Sequence, residues 1–80
     1  MNEESNSVYN ENKLAYEIAT TLNDKEALPL YVSFTRKYQS SFLRKILVRV
    51  MSIPDEKIKR TRGALFTYLV NAHGSNHSRN

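Results

Sequence analysis

Apolar positions in this chain recur at steps of three and four residues, and they nowhere alternate long enough to make a strand. Over residues 11–22, Leu14, Ala15, Ile18, Ala19 and Leu22 share one arc of a helix, with Asn10 or Asn12 available as a cap. Asn23-Asp24 breaks the pattern, and Asp24 is placed to cap the next helix. That second helix is predicted over residues 25–38. Pro29 is tolerated only in a first turn, where its missing N–H is not needed, so the start moves toward Ala27. Leu28, Leu30, Tyr31, Val32, Phe34 and Tyr38 cover more than half of its circumference, as expected of a helix that touches two neighbours.

The third helix, residues 41–51 with Ser40 as cap, has the cleanest pattern. Phe42, Leu43, Ile46, Leu47, Val50 and Met51 fill one half of the wheel, while Arg44, Lys45, Val48 and Arg49 fill the other. Ile53-Pro54 ends it, because a residue before proline is driven out of the α region. Residues 55–60 form a short turn, and Thr61 caps a last helix over residues 62–73. Ala64, Leu65, Tyr68, Leu69 and Ala72 are expected to face inward there, with Phe66 and Val70 extending that face, and Gly74 is the expected stop. The fold class is therefore all-α, a small compact bundle of four to five helices. Residues 10–74 make one helical domain, residues 1–9 a disordered acidic and polar arm, and residues 75–80 a disordered tail.

Composition sharpens this picture. With 80 residues, 40% of them hydrophobic, and no cysteine, neither disulfides nor thiolate metal sites can hold the fold, so helix faces must do so. The first twelve residues have no apolar run of the signal-peptide kind, and no stretch reaches the roughly 18 apolar residues of a membrane span, so a cytoplasmic protein without membrane contact is expected. Charge is divided. Residues 1–35 hold two lysines against six carboxylates, whereas residues 36–62 hold nine Lys and Arg against two. Such polarity favours a polyanion or an acidic protein surface as partner.

Enzyme chemistry finds no support, and no catalytic residue, metal site or cofactor is expected. His73 and His77 lie four apart, but Gly74-Ser75 interrupts the helix between them and no carboxylate is near enough in sequence to add a ligand. The carboxylates show no paired acid and base, and two isolated glycines make no nucleotide-binding loop. Candidate chemistry lies instead in residues 57–63. Lys57, Lys59, Arg60, Arg62 and Gly63 precede an apolar helix whose free N–H groups and dipole favour an anion, and Gly63 permits close backbone approach. Arg62 with the Gly63 backbone is the best single anion site on this reading. Arg44, Lys45 and Arg49 precede this hinge by one short turn, so the two basic groups are expected to converge on one surface suited to phosphates. A solvated basic face is the plain alternative. Tyr16 and Tyr68 are expected to lay their rings on the core, while Tyr31 and Tyr38 are candidates for partner contacts or base stacking, with the core the favoured place for most of the tyrosines.

From residue 40 to residue 74, the order of amphipathic helix, short basic link and apolar helix resembles the C-terminal half of DnaD-type domains, over under half of the chain. That resemblance implies DNA association and contact with replication proteins. The family's final helix carries a tyrosine, an aliphatic residue four later and a tryptophan four after that. The matching positions here are Leu65, Leu69 and His73, of which the aliphatic one agrees. The expected function is a non-enzymatic nucleic-acid-binding module, with DNA the favoured form, in replication initiation, transcriptional control or mobile-element biology. The alternative, from a different class, is a helical adaptor that docks an acidic partner protein or self-associates.

Overall fold

The computed structural model describes residues 3–78, with side chains from Asn12 onward. The chain is all-α, as the periodicity predicts. Four helices, α1 (Glu3–Thr21), α2 (Leu28–Lys37), α3 (Ser40–Met51) and α4 (Arg62–His73), are joined through 3-10 turns at Lys25–Ala27 and Asp55–Lys57, and a third such turn, Gly74–Asn76, comes after α4. No strand occurs among the described residues, only an isolated antiparallel bridge between Tyr38 and Ser78. The backbone of α1 begins at Glu3 rather than near residue 11, so it extends through most of the segment expected to be a disordered arm. Met1 and Asn2, and the tail residues Arg79 and Asn80, lie outside the described residues.

The end of α1 is set by backbone geometry. Asn23 has a φ of 55°, the one positive φ among the described residues. The amide of Asp24 then donates to the Ala19 carbonyl at 2.8 Å and that of Asn23 to the Thr20 carbonyl at 3.1 Å, the paired bonds of a Schellman stop. Asp24, the expected side-chain cap, makes no cap bond, because its carboxylate is taken by the Tyr31 hydroxyl, which donates to Oδ2 at 2.9 Å. Pro29 falls in the first turn of α2, where its missing N–H is harmless. Ser40 is the first residue of α3 and not its cap, since Gln39 holds that position without a side-chain bond. Thr61 does cap α4, accepting from the Ala64 amide at 3.0 Å.

α1 packs chiefly on α2, and α3 on α4, with a narrower seam between α2 and α3. The apolar arcs of α1 and α3 are buried as predicted, except Met51, which is exposed. A chain of rings crosses the core: Tyr31 meets Phe66 edge-on at 5.7 Å and Phe34 at 6.3 Å, Phe34 meets Tyr38 at 6.0 Å, and Tyr38 meets Phe42 at 5.8 Å. Burial of Tyr31 pushes its hydroxyl well above the ordinary phenol range, and the bond to Asp24 and that residue's charge push the same way.

Two expectations about faces are overturned. The buried side of α4 is Gly63, Phe66 and Val70, while Tyr68 and Ala72, expected inside, are exposed, and Ala64, Leu65 and Leu69 are half-buried. α4 is apolar nearly all round, so periodicity alone favours the larger apolar set. Packing chose the smaller arc, because Gly63 lets the start of the helix lie against the Asp24 carboxylate and the Tyr31 hydroxyl, and Phe66 completes the ring cluster. The tyrosines divide between core and surface. Tyr31 and Tyr38, the candidate stacking platforms, are core residues at 0% and 5% exposure, whereas Tyr16 and Tyr68 are exposed at 55% and 67%.

The segment after α4 is also placed differently from a disordered tail. The His77 carbonyl accepts from the Gln39 amide at 2.8 Å, and the His77 ring stacks flat on Phe42 at 4.4 Å. Residues 74–78 thus close over the α2–α3 junction. Gly74 has an ordinary right-handed φ of −80° and serves as a point of contact, since a Cβ there would lie 2.3 Å from Cε1 of Tyr38.

Candidate nucleic-acid interface

The basic residues expected to act together separate into three fates. Arg62 turns inward. Its Nη1 donates to the Val50 carbonyl at 2.6 Å and its Nη2 pairs with Asp55 Oδ1, leaving the side chain only 17% exposed. A cation near the negative end of α3 is favourably placed, which explains why a positive residue is tolerated in the first turn of α4. Arg62 is therefore a tie between α3, the Asp55 turn and α4, with its guanidinium committed within the fold. Gly63 is enclosed beside it. A Cβ at Gly63 would stand 2.5 Å from Asp24 Oδ2 and 2.9 Å from the Tyr31 hydroxyl, so the first turn of α4 already lies against a carboxylate of the protein itself. The anion that this helix end favours is internal.

Arg44 is paired across to α1, donating from Nη1 to Glu17 Oε2 at 2.8 Å. Lys45 and Arg49 remain exposed on the outer face of α3 and make no ion pair with a described residue. None of these three lines the groove beside the hinge, so the expected convergence of α3 with the hinge is not what brings cations together.

Lys57, Lys59 and Arg60 do come together. They rim a groove of about 350 Å³ between the link and the outer face of α4, all three exposed and without an ion pair to a described residue. The apolar part of its lining, the floor, is half-buried Ile58, Ala64 and Leu65, with exposed Tyr68 and Thr61 completing the groove. The local reason is legible in the backbone. Ile58 leaves the Asp55–Lys57 turn in extended conformation, φ −86° and ψ 111°, and is half-buried while its lysine neighbours are exposed. Asp55, a carboxylate two residues before Lys57, is held by Arg62, while Glu56, directly before Lys57, is exposed and makes no ion pair with a described residue. Sequence reasoning names the three cations and misses the floor. The signal is the surplus of apolar residues on α4, more than one buried face can use.

A second groove, between α1 and α2, is lined by Asn12, Lys13, Tyr16, Leu28 and Val32 and carries a single cation. Among the described residues no three His, Cys, Asp or Glu side chains gather to hold a metal ion, and His77 is committed to Phe42. No helix of the described residues is long and apolar enough to cross a membrane. Fold and site together define a small all-α bundle that carries a cation-rimmed apolar groove. No protein-family model, curated protein or solved structure matches the chain.

Proposed function

We propose that this is a cytoplasmic, non-enzymatic binding module that takes nucleic acid, with DNA the favoured form, in the groove between the link and α4. The observation that carries the reading is the set of three neighbouring cations, Lys57, Lys59 and Arg60, unpaired with any described residue and facing a common groove, while Arg44 and Arg62 are occupied within the fold. A polyanion gains there without first breaking an internal ion pair. Replication initiation, transcriptional control and mobile-element biology are the settings that fit. The resemblance of residues 40–74 to DnaD-type domains supports the first, and Leu65, which occupies that family's tyrosine position, lies on the groove floor.

The test is a titration against oligonucleotides at two salt concentrations, with Lys57→Gln/Lys59→Gln/Arg60→Gln beside the native chain. The triple variant is expected to keep its helicity, bind more weakly, and lose about 0.7 to 0.9 of the log–log salt slope per phosphate contact removed. Unchanged affinity and slope contradict the reading. The apolar floor favours one second reading, an adaptor for an acidic partner protein. On that reading an oligonucleotide competitor leaves the partner bound.

A further inference from the structure

Resting on that reading, we infer that the groove takes single-stranded nucleic acid, with one base laid against Tyr68 over the apolar floor and the flanking phosphates on Lys57, Lys59 and Arg60. Four features of the site lead there. Tyr68 is 67% exposed, so its ring is open to a ligand. It borders a concave floor of Ile58, Ala64 and Leu65, so a flat apolar body placed there meets a ring on one side and aliphatic carbon beneath. The volume, about 350 Å³, lies at the small end of ligand sites, which run from about 300 to 1,000 Å³, and suits one heterocycle rather than a folded surface. The three cations line the same groove as those apolar residues, so a backbone finds charged partners beside the place its base would fill.

A duplex matches this site poorly. Its bases are stacked on one another and paired, so it offers the groove phosphate alone and leaves the apolar floor wet. An unpaired strand delivers both parts at once, a π-face for stacking and a charge for the rim.

The whole chain is titrated with a single-stranded oligothymidylate, an abasic oligomer of equal phosphate count, a duplex of equal length, and a peptide alternating Glu and Leu. Tyr68→Ala and Tyr68→Phe are compared with the native protein, helicity being checked first. The native chain is expected to bind oligothymidylate about 5- to 20-fold more tightly than the abasic strand. Tyr68→Ala is expected to remove that difference without changing affinity for the abasic strand, and Tyr68→Phe to keep it. Equal binding of duplex, abasic and base-bearing strands overturns the inference and leaves nucleic-acid binding standing. A base-dependent gain that survives Tyr68→Ala also overturns it, because the base then sits elsewhere. Binding of the peptide with no binding of any oligonucleotide overturns both readings.

Discussion

Replacing Arg62 by alanine removes the donor to the Val50 carbonyl from a site where little water can replace it, so the substitution is expected to lower stability by about 1.5 to 3 kcal/mol. Asp55→Asn is the informative companion. Asp55 is 95% exposed, and an ion pair open to solvent contributes at most about 1 kcal/mol, so denaturant melts should show a clear gap between the two variants. Tyr31 makes a second residue-scale prediction. Its hydroxyl holds the proton more firmly in the fold than in the unfolded chain, whose value is near 10.0. The stability from that difference is complete below about pH 10 and is lost as pH rises beyond it. Between about pH 8 and about pH 11, Tyr31→Phe should therefore lose less stability than the native protein, measured as the shift in urea midpoint; an equal loss in both contradicts the assignment. Residue types at residues 57–62 are legible in sequence, and the individual roles are not. Nothing in the order Lys-Arg-Thr-Arg tells which cation finds a carbonyl, because Val50 is 12 residues from Arg62 and reaches it only through the turn at Pro54.

Helices divide by how one-sided they are. α1 and α3 have one apolar face each, so their buried residues can be read directly, and Ile46→Ala should cost about 2 to 5 kcal/mol for the cavity it leaves at a position only 6% exposed. A melting curve identical to the native one contradicts that. α4 offers two apolar arcs, and the choice between them depends on Gly63 and on where Tyr31 and Phe34 wait across the interface, which no spacing rule contains. The wider inward face also hides the groove, since it assigns Tyr68 to the core and Leu65, which packs on the core and lines the groove as well, to the core alone. The closing segment escapes the sequence for a related reason: its anchors are one backbone bond and one ring stack, not an apolar period. Gly74→Ala tests it. The added Cβ meets the Tyr38 ring, itself fixed between Phe34 and Phe42, so residues 74–78 should be released while α4 persists. Hydrogen exchange at the Gln39 amide, which donates to His77, is expected to quicken about tenfold or more. Unchanged protection there shows that the segment does not close the junction.

Over the whole molecule, charge and packing sort together. The carboxylates of the first half lie on α1 and the turn after it, whereas α2 ends on Arg36 and Lys37, and the one described ion pair that spans the halves, Glu17 with Arg44, absorbs part of the basic charge of α3. Exposed cations without a described ion pair stand on α1, the first turn, the end of α2 and the outer face of α3, and three of them, Lys57, Lys59 and Arg60, share the groove. Such a field steers a polyanion toward one end of the chain, and its effect falls as salt screens it over about 10 Å at 0.1 M. The central claim is that the groove, and not α3 or the α1–α2 groove, is the binding surface. Amide chemical-shift mapping of the whole chain during titration with a single-stranded oligonucleotide tests it most directly. The account predicts perturbations centred on residues 57–61 and on Ala64, Leu65 and Tyr68, with residues 12–32 unmoved. Perturbations centred on Lys45 and Arg49, or on Tyr16, Leu28 and Val32, contradict it, as does a spectrum that does not change at all.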